Sequence, residues 1–284
     1  MDDFAGAGKT ILITGCSTGI GYTCAHGLKV RGWHVIASCR RRADVERLQG
    51  EGLDCVLIDY EDEPSIHSGF EEAMEIANGR IDALFNNGAY GIPAMTEDLP
   101  TDALRQIFEA NFFGWHTLTC RVIPGMREAG FGRIVQCSSV LGFAALRTRG
   151  AYNATKFALE GLSDTLRIEL HGTGIDVVLI EPGPITSKIR ENARGQYEKW
   201  IEPIIEHSPW EDFYRTTLRE RLYGDTGKDK YELGPEAVLH KLIHAIESAR
   251  PKPRYYVTTP TYVAGTLKRL LSTRRFDAVM RRSS

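Results

Sequence analysis

Seven short apolar runs punctuate this chain, at residues 11–13, 33–39, 53–58, 81–85, 133–137, 175–180 and 254–257. Each is too short for a helix and is bounded by glycine, proline or charged residues, so each reads as a buried strand. Between them the apolar positions recur with a helical period. Helices are predicted over 19–30, 43–51, 64–78, 101–128, 151–171 and 235–250. Pro64 stands near a helix start, where its missing N–H costs little, and Pro124 is expected to bend the long helix. Regular alternation of near-continuous apolar strands with helices implies an α/β domain, a parallel sheet covered on both faces. In such a sheet ligands bind beyond the carboxyl ends of the strands. The polar punctuation falls there: Thr14-Gly15, Arg40, Asp59, Asn86-Asn87-Gly88, Ser138-Ser139 and Pro182-Gly183. One continuous crevice is the expected site.

The alternation stops between 187 and 232, which reads as an insertion over the crevice and a candidate substrate lid. It is rich in aromatic residues: Tyr197, Trp200, Trp210, Phe213, Tyr214, Tyr223 and Tyr231. Either they line a site for a bulky apolar substrate, or they pack the insertion onto the domain. The loops 140–145 and 90–93 would add apolar wall. The tail, 260–284, mixes Leu267, Leu270, Leu271, Phe276, Val279 and Met280 with Lys268, Arg269, Arg274, Arg275, Arg281 and Arg282. Such a basic amphipathic helix either lies on a membrane surface or packs its apolar face on its own domain.

Composition narrows the reading. The 284 residues suit one domain with elaborations, and 42% apolar with 25% charged residues is ordinary for a globular protein. A net charge of −2 gives no argument for nucleic acid as a partner. No run approaches the length of a transmembrane helix, and Met1-Asp-Asp-Phe, acidic and without an apolar run, does not read as a secretory signal. The six cysteines form no C-x-x-C pair and the eight histidines no H-x-x-x-H, so reduced thiols, no metal and a cytoplasmic protein are expected.

The chemistry begins at Thr14-Gly15-Cys-Ser17-Thr18-Gly19-Ile20-Gly21, a glycine turn between the first strand and a helix. Glycines let the backbone approach a pyrophosphate, and the helix N-terminus offers it unpaired N–H groups. The Walker-like Gly8-Lys9-Thr10 is excluded, because Asp3 stands where that motif needs glycine and the residues precede the strand. At the end of the second strand Cys39-Arg40-Arg41-Arg42 offers guanidinium groups and no acid. Paired guanidinium contacts suit the 2′-phosphate of NADP, with Arg40 first and Arg41 second; otherwise this is a solvated basic turn. Tyr152 and Lys156 sit one helical turn apart on one face. A phenol titrates near 10 in isolation, and a neighbouring ammonium is expected to lower that value. Tyr152 then acts as acid or base on a carbonyl or alcohol.

The spacing T-G-x-x-x-G-x-G, with Y-x-x-x-K and Ser139 thirteen residues before Tyr152, resembles the classical branch of the short-chain dehydrogenase/reductase family. Asn86-Asn87-Gly88-Ala89 resembles its N-N-A-G motif with the last two residues exchanged. The resemblance covers about the first 185 residues in detail. It implies a Rossmann-type doubly wound sheet of order 3-2-1-4-5-6-7, hydride transfer, and a homodimer or homotetramer. It implies that Ser139 orients the substrate carbonyl, Lys156 also holds the nicotinamide ribose, and Asn111 holds a relay water. Asp59 would bond the adenine, Asn87 and Gly88 would lie beside the cofactor, and Pro182, Gly183, Ile185 and Thr186 would border the nicotinamide. Residues 152–161 also look like the 17β-hydroxysteroid and retinol dehydrogenase branch, which points to a hydrophobic alcohol and its carbonyl partner. The expected function is an NADP(H)-dependent reductase of that class. A binding sensor without turnover and a sugar-nucleotide epimerase are the alternatives.

Overall fold

The computed structural model describes residues 6, 8–224 and 227–282. Residues 1–5 and 7, Asp225 and Thr226 of the insertion, and Ser283 and Ser284 of the tail lie outside that description. Elements alternate as β1 (Thr10–Ile13), α1 (Gly19–Val30), β2 (His34–Cys39), α2 (Arg42–Gly50), β3 (Asp54–Leu57), α3 (Glu63–Ile76) and β4 (Ala83–Asn86). The second half continues with α4 (Thr101–Phe108), α5 (Gly114–Glu128), β5 (Gly132–Cys137), α6 (Gly150–Glu169) and β6 (Ile175–Glu181). The insertion follows as α7 (Ile189–Trp200), α8 (Glu211–Phe213) and α9 (Arg219–Tyr223). Then come α10 (Glu236–Glu247), β7 (Arg254–Tyr256), α11 (Thr259–Leu270) and α12 (Thr273–Arg282).

The strands form one parallel sheet in the order β3-β2-β1-β4-β5-β6-β7, the expected Rossmann-type order. The central strands are apolar throughout because helices cover both faces; Ile11, Leu12 and Ile13 are fully buried. Two crossovers in opposite directions leave β1 and β4 as neighbours, with Leu12 opposite Leu84. The chain reverses its strand order at that point, so a crevice opens above their carboxyl ends.

Pro124 does not end the long helix. It lies inside α5 on an exposed face, where water can take the carbonyl left without its donor. An irregularity falls at Glu109–Phe113, one π-helical turn between α4 and α5. The tail is two helices rather than one. Its apolar face packs on its own domain, with buried Phe276 against Ala144 and Ala264 and beside Val140, Leu267 and Met280.

The insertion has a small core of its own. Tyr197, Ile201, Ile205, Tyr214, Leu218 and Leu222 close on Ala103 and Ile107 of α4, with Trp200, Trp210 and Phe213 at the margin. The Tyr214 hydroxyl donates to Asp98 at 2.8 Å and accepts from the Met95 N–H at 2.8 Å, which fixes the insertion to the loop after β4. Among the described residues no helix is long and apolar enough to cross a membrane, and no three His, Cys, Asp or Glu are grouped to hold a metal ion.

Candidate active site

The glycine turn is held by the loop after β4. Gly15 has φ of 67°, and a Cβ there would stand 2.5 Å from the Gly88 Cα. The two backbones therefore meet directly, and the glycine at position 88 is part of that fit. Thr14 Oγ1 accepts from the Asn87 N–H at 2.9 Å and lies 2.9 Å from the Tyr60 hydroxyl. Asn87 Nδ2 donates to the Thr14 carbonyl at 3.1 Å. The side chains of Thr14 and Asn87 thus tie two loops together. Gly21 is equally confined, since a Cβ there would stand 2.4 Å from the Gly15 carbonyl oxygen. Thr18 is extended, so α1 starts at Gly19, and the first residues of the helix line the cleft with their N–H groups left without helical partners.

At the other side of the crevice α6 carries Tyr152 and Lys156. The Lys156 side chain is buried, its Nζ donates to the Cys137 carbonyl at 2.8 Å, and it lies 4.0 Å above the Trp115 ring. Burial pushes its pKa down to about 8, against the opposing influence of Cys137 and Glu160. Tyr152 departs from the sequence expectation. Burial raises its phenol well above the ordinary value, Cys137 adds to the rise, and the Ser139 hydroxyl and Arg149 offset only part of it. Desolvation of the phenolate outweighs any gain from the neighbouring ammonium, whose Nζ is directed at Cys137 and Trp115 and lies 5.5 Å from the Tyr152 ring centre. The Tyr152 phenol is therefore protonated at neutral pH.

Ser139 Oγ accepts from the Leu141 N–H at 3.1 Å and lies 3.4 Å from the Pro182 carbonyl. Those contacts fix the serine at the start of a short 3-10 turn, beside Tyr152. Asn111 sits in the π turn, fully buried. Its Oδ1 accepts from the Tyr90 N–H at 3.1 Å and its Nδ2 donates to the Tyr90 carbonyl at 2.8 Å. The side chain thus latches the loop after β4 and does not reach the crevice wall.

One cleft of about 1220 Å³ joins these parts. Ser17, Thr18, Gly19, Ile20, Arg40, Arg41 and Asp59 line one end; Ser139, Tyr152, Lys156, Pro182, Gly183, Ile185 and Thr186 line the other, with Thr14, Gly15, Asn87 and Gly88 also in the wall. Gly21 and Asn111 alone of the sequence-predicted residues stand behind it. Thr186 is also engaged with the insertion, donating to Glu232 at 2.6 Å. Most aromatics of the insertion face α4 instead of the cleft, and of the seven only Tyr231 reaches its wall. The insertion contributes residues 187–194, Arg221, Leu222, Gly227 and 229–232.

Sequence reasoning missed Tyr60, Trp115, Arg149 and the tail. Val263 and Leu267 of α11 and Val279 and Met280 of α12 form apolar wall. The apolar positions of the tail signalled a buried face but not what it covers. Arg149, three residues before Tyr152, carried a signal in its spacing. Nothing local marked Trp115.

Two glycine-bearing loops and an acid–amine pair in one cleft have counterparts in known proteins. The chain matches the short chain dehydrogenase family over residues 9–198. It is 40% identical over 274 residues to the uncharacterized oxidoreductase YbbO of Escherichia coli, covering 96% of this chain and 94% of that protein. It is 31% identical over 261 residues to retinol dehydrogenase 8 of Homo sapiens, covering 88% and 81%. A short chain dehydrogenase/reductase of Burkholderia phymatum, solved in complex with NAD, superposes with a TM-score of 0.77 over 98% of this chain and 97% of that one, at 23% identity.

Proposed function

The chain belongs to the short-chain dehydrogenase/reductase family of oxidoreductases, and we propose that it interconverts a hydrophobic ketone or aldehyde and its alcohol with NADP(H). The observation that carries this reading is the placement of Tyr152, Ser139 and Lys156 in one cleft with a glycine turn and a helix N-terminus. The residues fit a dinucleotide. Gly15 leaves no room for a side chain at the turn, and the first turn of α1 presents N–H groups to a pyrophosphate. Arg40 and Arg41 at the end of β2 suit a 2′-phosphate and are exposed to receive it. The cofactor, when bound, supplies or accepts the hydride.

The chain's own part is proton transfer and orientation. Tyr152, held protonated by burial, would donate its phenolic proton to the carbonyl oxygen of the substrate. This protonation state favours reduction. Ser139 donates to the same oxygen and orients it. Lys156, fixed by Cys137 and Trp115, holds the ribose and stabilises the phenolate left behind. The apolar wall from Ile92, Leu146, Val263, Leu267 and Met280 accommodates the substrate body and limits water.

The test is oxidation of NADPH and of NADH, followed by absorbance, with a panel of apolar ketones and aldehydes. Turnover is expected with NADPH and is expected to fall about 10²–10⁴-fold in Tyr152→Phe. Arg40→Ala is expected to raise KM for NADPH alone. Cofactor binding without turnover on the whole panel would replace this reading with a nucleotide-binding sensor.

A further inference from the structure

The substrate end of the cleft is not purely apolar. Arg149, Arg190 and Arg221 line it together with Tyr152. Arg190 faces Asp229 Oδ2 at 3.9 Å, and Arg194 donates to the Leu222 carbonyl. The acids of this end are already engaged: Glu232 accepts from Thr186, and Glu191 faces Lys188 at 3.8 Å. Among the described residues the Arg149 guanidinium has no hydrogen-bond or ion-pair partner. It is half-buried, and burial with repulsion from Arg221 and Arg190 pushes its pKa down to about 10 against the opposing influence of Tyr152 and Asp229, so it remains a cation at neutral pH.

Three half-buried or cleft-lining arginines share one nearby carboxylate, Asp229, which already faces Arg190, so the cluster is short of an anion. The backbone is also strained beside it. Thr148, a β-branched residue, has φ of 61°, in the left-handed region. The strain is held by the Thr148 carbonyl, which accepts from the Ala94 N–H at 3.2 Å, and by the pairing of Ala94 with Arg149. Those contacts fix where Arg149 leaves the backbone. It stands near enough to Tyr152 for its charge to lower the phenol's pKa.

We propose that Arg149 is an anion subsite for the substrate, and that the substrate is a hydrophobic carbonyl compound bearing a carboxylate. The planar guanidinium matches a carboxylate in bidentate fashion. Ile92, Leu146 and Leu222 take the apolar body, and the carbonyl lies at Tyr152. Arg190 and Arg221 add attraction for an anion entering the cleft. This substrate assignment rests on the reductase reading above, whereas the anion subsite stands on its own geometry.

The subsite is tested by calorimetric titration of the NADPH complex with octanoate and with octanol, in the wild type, Arg149→Gln and Arg149→Lys. Octanoate is expected to bind the wild type at least about tenfold more tightly than octanol. Arg149→Gln should remove that preference while octanol and NADPH bind as before, and Arg149→Lys should keep part of it. Equal binding of octanoate and octanol by the wild type overturns the proposal, whatever the variants do. So does an equal loss for both in Arg149→Gln, or a loss confined to NADPH, which would make Arg149 a cofactor contact. Turnover of benzoylformate and its methyl ester separates the two readings. Reduction of the ester without any octanoate preference removes the subsite and leaves the reductase. Octanoate preference with neither compound reduced keeps the subsite and removes the reductase.

Discussion

Lys156→Met isolates the electrostatic cost of the buried amine. In the folded protein the amine titrates at about 8, and in the unfolded chain at its ordinary 10.5. The sign is opposite to that of a lysine gaining a partner. Between those values the unfolded chain holds a proton that the folded chain has released, so this group makes stability rise with pH. Its unfavourable contribution is complete below about pH 8 and is relieved as pH climbs to the unfolded value. Integrating the two titrations, the stability of the wild type relative to Lys156→Met should rise by roughly 2.5 kcal/mol between about pH 7 and about pH 10. Methionine fills similar volume above Trp115 and carries no proton, so the remaining titrations are common to both proteins. The assay is urea unfolding of the cofactor-free proteins, followed by tryptophan fluorescence at both pH values. A difference that stays constant within about 0.5 kcal/mol would refute the argument, because the amine would then be solvated as well in the fold as outside it.

Gly15→Ala is expected to cost more than about 1–2 kcal/mol and to abolish NADPH binding, since it adds a Cβ 2.5 Å from the Gly88 Cα at positive φ. Gly161→Ala is its control: nothing lies within 4 Å of that Cβ in α6, so thermal unfolding should show a gain of about 0.5–1 kcal/mol and titration no change in NADPH affinity. Phe276→Ala removes the one fully packed anchor of α12, so hydrogen exchange should rise in that helix and KM should rise for bulky substrates more than for small ones; unchanged exchange would show that the helix is held otherwise. Glu181 is held well above the carboxylate range by burial and by the charge of Glu160, with Arg254 opposing. A raised acid loses stability as pH rises, so the wild type should weaken relative to Glu181→Gln between about pH 5 and about pH 8. A flat difference in denaturant midpoints would show that the carboxyl is ionised throughout.

Local chemistry made much of this protein legible in its sequence. Strands covered on both faces must be apolar along their length, so all seven could be placed, and Gly19–Val30 even to its ends. Tyr152 and Lys156 were legible from their spacing of one helical turn, and the glycine turn and Ser139 for a reason related to the strands. Crevice residues of a parallel sheet follow the carboxyl ends of strands, and those ends are marked in the sequence. Other features depended on which surfaces met. A helical period shows that a face is buried, not what buries it. Thus most of the insertion's aromatics turned to α4, and Phe276 brought α12 back over Ala144 to complete the cleft. The π turn at Glu109–Phe113 was not marked in the sequence; it depends on buried Asn111 latching the Tyr90 backbone. Protonation depended on the same meeting of surfaces. The spacing of Tyr152 and Lys156 predicts a lowered phenol, but desolvation is set by everything packed around it, and only the folded chain determines how much water remains.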